Sequence, residues 1–163
     1  MVRINLGCGN IKEDGWVGID IRKFPAVDYV LNIGKEKLPF ANNSVEEIDA
    51  DHLFEHFYPE ELFFCIEECF RVLKPKGHIL IKVPKGDSSA FYVHPDHKIH
   101  FVKDTFSFFQ VPADGKDILG YLKGFWHVTI NKNENPHAIS ATLYPNKPDG
   151  TYEYKEVKLL GEY

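Results

Sequence analysis

Apolar and polar residues alternate along this chain in short blocks. Val2 to Leu6 reads as a central strand that stops at Gly7. Trp16 to Asp20 follows almost at once as a second strand, and Val27 to Leu31 reads as a third, ending near Asn32. Val45 to Ala50 makes a fourth. Pro59-Glu60-Glu61 then opens a helix, with proline and acids in its first turn. Leu62, Ile66, Cys69, Phe70 and Leu73 recur at helical spacing and should face a sheet, with Pro75 and Gly77 ending the helix. His78 to Val83 is a nearly continuous apolar fifth strand, and Pro84 to Lys98 is loop-like. A short helix begins near Thr105 with Phe106 and Phe109. Phe125 to Asn131 and Ala138 to Tyr144 read as two strands of an antiparallel hairpin across the polar turn Lys132 to Pro136. The segment after Tyr144 is rich in Pro, Gly and Lys and should hug the surface. Strands alternating with helical segments predict a parallel, doubly covered α/β sheet with its loops gathered at one edge.

At 163 residues one domain, 1–163, is the expectation, and 44 % apolar content supports a real core. No apolar run approaches a membrane span, and the first one is broken by Gly7 rather than built as a secretory leader. The net charge of −5 argues against general nucleic-acid binding. Cys8, Cys65 and Cys69 have neither metal nor disulfide-framework spacing. Cys65 and Cys69, a helical turn apart among phenylalanines, read as small buried apolar residues. A reduced, cytoplasmic setting follows, with oligomeric state open.

The candidate chemistry starts at Ile4-Asn5-Leu6-Gly7-Cys8-Gly9-Asn10. A glycine turn at a strand's carboxyl end lets a ligand approach bare backbone. Asp20, at the end of the next strand, can accept hydrogen bonds from two ribose hydroxyls. A dinucleotide fingerprint would need a glycine where Lys12 stands and an acid much later than Asp20, and no Walker A sequence is present. A ligand with a ribose but no pyrophosphate fits best.

Four blocks, in order, resemble the class I S-adenosylmethionine-dependent methyltransferases of the small, type 11-like kind. They are Asn5 to Asn10, Val17 to Ile21, Leu38 to Ile48 leading into Ala50-Asp51-His52-Leu53-Phe54-Glu55-His56, and Arg71-Val72-Leu73-Lys74-Pro75-Lys76-Gly77-His78. The resemblance implies a Rossmann-like, doubly wound, mainly parallel seven-stranded sheet with an antiparallel C-terminal hairpin. It implies S-adenosylmethionine as cofactor and S-adenosylhomocysteine as product. It places that cofactor against Asn5, Gly7, Cys8, Gly9, Asp20, Ile21, Asn32, Ile33, Asp51 and His52. Three departures stand out. The stretch from Gly9 to Trp16 has room only for a turn where the family has a full helix, so the first helix is trimmed and the cofactor site more open. Asn5 and Asn32 stand where relatives often carry Asp.

The chain has eight histidines. His52, Glu55 and His56 share one helical turn, and Tyr92 to Phe101 holds His94, His97 and His100 in a stretch resembling one seen after the fifth strand of such enzymes. Three readings are open: loop-orienting hydrogen bonds, an acceptor site with one His as general base, and a Zn²⁺ site of imidazoles with Asp96. The spacing matches no established zinc pattern, so no metal is expected, and His52, His94 and His97 are taken as the catalytic candidates lining an acceptor pocket. Phe101, Phe106, Phe108 and Phe109 could wall that pocket but at this density read as core, as does Trp126. The expected function is methyl transfer to a small-molecule acceptor. A cofactor-binding module without catalysis and a His-based metal-dependent hydrolase are the alternatives.

Overall fold

The computed structural model describes residues 1–110, 122, 124–132 and 135–148. One seven-stranded sheet organises them. Its strands are β1 (Arg3–Leu6), β2 (Val17–Asp20), β3 (Tyr29–Val30), β4 (Val45–Asp51), β5 (Leu73–Pro84), β6 (Trp126–Ile130) and β7 (Ala138–Pro145). Their order across the sheet is β3-β2-β1-β4-β5-β7-β6. The first five strands are mutually parallel, and β7 runs antiparallel to both β5 and β6. This is the mixed α/β arrangement expected, with β1 and β4 central and the hairpin at one end. Residues 133–134 of the expected polar turn, and residues 149–163, lie outside the described residues.

Register explains the core. Ile4, Ile48, Ile79, Leu143 and Val128 line up in one row across five strands. The next row is Asn5, Asp49, Leu80, Thr142 and Thr129. Successive strand residues point to opposite faces, so the first row looks into the core and the second away from it. Ile4, Ile48, Ile79 and Leu143 are fully buried, whereas Asn5, Asp49 and Leu80 keep solvent exposure. Helix α1 (Pro59–Val72) belongs to the core side, burying Leu62, Cys65, Ile66, Cys69 and Val72. Its start is fixed by Pro59 and by Glu61, whose Oε2 accepts the Tyr58 N–H at 2.9 Å.

The winding is pared down relative to a doubly covered sheet. Residues 7–16, 21–28 and 31–44, which join the first four strands, hold turns and bends but no helix. The turn-only stretch between Gly9 and Trp16 is as expected. The other two connections leave the second face of the sheet without a covering helix among the described residues. That face is polar, which is the reason it tolerates exposure.

Two boundaries differ from expectation. Helix α1 stops at Val72 and β5 starts at Leu73, so Pro75 and Gly77 lie within the strand rather than ending the helix. Pro75 forces Lys74 out of the helical region. The extra residues are absorbed by a register shift, with Val45 opposite Leu73 but Glu47 opposite His78. A side chain at Gly77 would come within 2.8 Å of the Glu46 carbonyl. Strand β3 is only two residues long, because Val27 closes a turn onto Phe24. Between Pro84 and Lys98, Ser89–Tyr92 forms one helical turn, α2. A 3-10 segment spans Lys103–Phe109, burying Phe106 and Phe109, with Phe101 also fully buried and Phe108 partly exposed. Trp126 is fully buried, as its packing role required.

A partly buried ion pair ties α1 to the loop before β4. The Arg71 guanidinium donates to both oxygens of Glu68, at 2.8 and 2.7 Å, and to the carbonyls of Phe40 and Leu38, at 2.8 and 2.9 Å. Glu68 Oε2 also accepts the Leu38 N–H at 2.9 Å. The Leu38-to-Ile48 block and the Arg71-to-His78 block are therefore clamped together through α1.

Candidate functional site

Strand β1 ends in a turn that only glycine accommodates well. Gly7 and Gly9 have φ of +68° and +55°, the left-handed region. The Gly7 and Cys8 amides donate to the Ile19 carbonyl at 2.8 and 3.2 Å. Gly9 N–H donates to Asp20 Oδ2 at 2.9 Å, and Arg22 N–H to Asp20 Oδ1 at 2.8 Å. Asp20 is only 5 % exposed. Its carboxylate thus holds the glycine turn and its own loop before any ligand arrives, and each oxygen retains a free lone pair. A Cβ on Gly9 would meet nothing within 4 Å, so the backbone there borders open space. A Cβ on Gly7 would come to 2.9 Å of Leu53 Cδ1, which seats the turn against the loop after β4.

The other expected contacts distribute around this turn. Ile21 is 61 % exposed just past the end of β2. Asn32 begins a tight turn after β3: its carbonyl accepts the amides of Lys35 and Glu36, and its own N–H donates to Glu36 Oε1 at 2.8 Å. Ile33 is packed in the core. Cys8 is buried, its thiol lies 4.0 Å from the Ala26 carbonyl, and burial and then Asp20 push its pKa up. Asn5 lies on the open sheet face, in a hollow of about 300 Å³ shared with Arg3, Glu13, Trp16, Glu47, Asp49 and Leu80. Burial, followed by the charges of Asp51, Glu13 and Glu47, raises Asp49 to about 6 in that hollow.

After β4 the chain turns sharply. His52 has φ +54°, unusual for a side-chain-bearing residue and a strain that its surroundings must hold. His52 Nδ1 lies 3.0 Å from Glu55 Oε1, and its Nε2 lies 3.7 Å from Asp51 Oδ1. The hydrogen bond to Glu55 raises the His52 pKa. Asp51 also pairs with Lys82 at 3.1 Å. Glu55 and His56 belong to a one-turn 3-10 segment, Phe54–His56. The loop after α2 comes back onto this segment: the amides of Lys98 and Ile99 donate to the Glu55 carbonyl at 2.7 and 3.2 Å. His97 is thereby brought 3.9 Å from Glu55 Oε1, with its ring 4.7 Å from that of His56.

The structure therefore joins His52 and His97 through Glu55. His94 is exposed and rests against His97, ring centres 5.2 Å apart. His100 bonds the Gly86 carbonyl at 3.2 Å and stacks on Phe91, which is a loop-orienting role. Asp96 Oδ2 contacts His56 Nδ1 at 2.9 Å. Glu55, which the sequence sets beside the histidines without an evident role, is the residue that joins them. The signal was its spacing, three residues after His52 and directly before His56.

Residues 18–81, from within β2 into β5, match the family described as a methyltransferase domain. That match covers part of the chain, and the fold is the one seen in solved S-adenosylmethionine-dependent methyltransferases. Solved structures agree with this chain in fold. An S-adenosylmethionine-dependent methyltransferase from Archaeoglobus fulgidus is 21 % identical, with 87 % of this chain and 85 % of that one covered and a TM-score of 0.62. The 1,6-didemethyltoxoflavin-N1-methyltransferase of Burkholderia thailandensis, solved with 1,6-didemethyltoxoflavin and S-adenosylhomocysteine, is 12 % identical over 90 % of this chain and 71 % of that one, TM-score 0.63. No protein of curated function matches the sequence. No described helix is long and apolar enough to cross a membrane.

Proposed function

We propose that this protein is a methyltransferase that binds S-adenosylmethionine on the Gly7–Gly9 turn and Asp20, and moves its methyl group to a small-molecule acceptor held over the loops after β4 and β5. The observation that carries the reading is the Gly9 N–H to Asp20 carboxylate bond at 2.9 Å, which sets a bare backbone and a ribose-binding acid side by side. When bound, the cofactor supplies a sulfonium methyl that is already electrophilic. The protein's task is then alignment. Asp20 accepts the ribose hydroxyls with its remaining lone pairs, and Ile21 covers one edge of the adenine. Cys8, Asn32 and Ile33 shape the rest of the pocket, and Asp51 and His52 border the methionine end.

With the cofactor held there, the loops after β4 and β5 would align an acceptor lone pair with the sulfonium methyl, and the cofactor would leave as S-adenosylhomocysteine. Where the acceptor carries a proton, His52 is placed to take it. Glu55 fixes the His52 ring through Nδ1, leaving Nε2 as the working nitrogen. His94 and His97 line the acceptor side. The Burkholderia neighbour, solved with 1,6-didemethyltoxoflavin, favours a small-molecule acceptor. Three free, buried cysteines support a reducing, cytoplasmic setting.

Calorimetry and a labelled-methyl assay test this. The protein should bind S-adenosylhomocysteine and discriminate against NAD, and should label at least one acceptor from a panel of small phenols, thiols and heterocyclic amines. His52→Gln should cut turnover while leaving S-adenosylhomocysteine affinity nearly unchanged. Tight NAD binding without S-adenosylhomocysteine binding would defeat the proposal.

A further inference from the structure

The cluster after β4 holds a carboxylate that the methyl-transfer reading leaves half used. Glu55 is fully buried. Its Oε1 takes His52, but its Oε2 is buried with no hydrogen-bond partner. A buried anionic oxygen without a partner is costly and calls for a cation. Two imidazoles stand beside it. One ligand atom from each of Glu55, His56 and His97 lies within 4.8 Å of the others.

The histidine tautomers suit a metal. His97 Nδ1 lies 2.7 Å from the Phe91 carbonyl. A carbonyl only accepts, so Nδ1 carries the proton and the Nε2 lone pair is free in the neutral ring. Nε2 is the nitrogen that faces Glu55. His56 Nδ1 meets the Asp96 carboxylate in the same manner. A ring N–H held by a carbonyl or carboxylate, with the second nitrogen left bare, is the outer-shell arrangement of metal-bound imidazoles. The two segments are also stitched in advance: Glu55 O takes two amides, and the Lys98 ammonium donates to the His56 carbonyl.

We propose that Glu55, His56 and His97 form a site for a divalent transition-metal ion of the zinc class. Two imidazoles and one carboxylate are a set such ions favour, with a fourth position left for water or an acceptor atom. Tetrahedral bonds of about 2.0–2.1 Å put neighbouring ligand atoms roughly 3.3 Å apart. The cluster must therefore close by up to about 1.5 Å, which side-chain rotation of Glu55 and His56 can supply. His97 Nε2 and His52 Nδ1 both face Oε1, so the ion and the His52 ring share one carboxylate, and the carboxylate must turn to bring the unpartnered Oε2 to the ion. This inference rests on the cluster alone and not on the methyl-transfer reading.

The test uses the full chain freed of metal by chelation, with Zn²⁺ followed by calorimetry and Co²⁺ by its visible spectrum. One ion should bind per chain. His97→Gln and His56→Gln should each weaken binding by at least about 100-fold, and Asp96→Asn by about 10-fold, as outer-shell losses do. His78→Gln, which removes a histidine outside the cluster, should leave binding unchanged. Glu55 stays intact because a fully buried position is prone to folding defects, and circular dichroism checks each variant. A parent that binds neither ion, or binding retained when His56 and His97 are both replaced, would overturn the site.

Discussion

Asp20→Ala tests whether the acid proposed to bind the ribose also holds the glycine turn in shape. In the structure its two oxygens accept the amides of Gly9 and Arg22, at 2.9 and 2.8 Å, inside a residue that is 5 % exposed. Hydrogen bonds to a charged group contribute about 1.5–3 kcal/mol each, and a buried donor left without an acceptor costs about 1–3 kcal/mol. Water can reach the Arg22 amide, because the Arg22 side chain is 70 % exposed, so the second bond counts for less. The variant should therefore lose about 2–4 kcal/mol of stability. For a chain of this size that lowers Tm by roughly 5–12 °C. Asp20→Asn keeps one acceptor and should lose about half as much. Neither loss is expected if the acid only waits for a ligand. Melting curves with and without S-adenosylhomocysteine separate the two roles. The parent should be stabilised by the ligand, and the Ala variant should be both less stable alone and at least about 10-fold weaker in binding. A variant melting within 2 °C of the parent would show that Asp20 does not organise the turn, and undiminished ligand affinity would show that it does not bind the ribose.

Arg71→Ala should cost about 3 kcal/mol in urea unfolding, because it leaves the buried Glu68 carboxylate with only the Leu38 amide. Arg71→Lys should recover less than half of that, since an ammonium cannot span both oxygens and two carbonyls, and a loss below 1 kcal/mol for Ala would refute the clamp. Asp49, raised to about 6 by burial and then by Asp51, Glu13 and Glu47, holds its proton more tightly folded than unfolded. Its contribution to stability is therefore present below about pH 4 and fades as pH rises through about 6, at a cost of about 1–2 kcal/mol once partial solvation is allowed for. Asp49→Asn should raise Tm by roughly 2–6 °C at pH 7.5 and leave it unchanged at pH 4, so equal melting temperatures at pH 7.5 would refute the burial argument.

The sheet was legible because each strand carries apolar residues, continuously or at alternate positions, and stops at a glycine, an acid or a polar loop. The trimmed connection after Gly9 could be read for the same reason, since seven residues cannot fold a helix and return. The start of β5 could not. Proline and glycine usually end an element, and only the pairing of Val45 with Leu73 shows that the strand resumes before them. The Glu68–Arg71 clamp was hidden because its acceptors, Leu38 and Phe40, are some thirty residues away in the chain. The glycine turn and Asp20 were visible as chemistry, but their mutual hydrogen bond was not, because it depends on β1 and β2 lying side by side. The histidines were visible as types and not as a constellation. Glu55 joins His52 and His97 only after the loop from α2 folds back.

The second face of the sheet has a consequence for how this chain accepts mutation. In a sheet covered on both sides every strand position faces protein, and substitutions are resisted all along the strand. Here Ile4, Leu6, Ile48, Ala50, Ile79 and Ile81 are fully buried, while Arg3, Asn5, Glu47, Asp49, Leu80 and Lys82 between them are not. A saturation scan of β1, β4 and β5 should accordingly show tolerance rising and falling every second residue. The chain can thus drift in sequence on half of its central strands, and change the charge of a whole sheet face, without disturbing the packing that holds the Gly7–Gly9 turn in place.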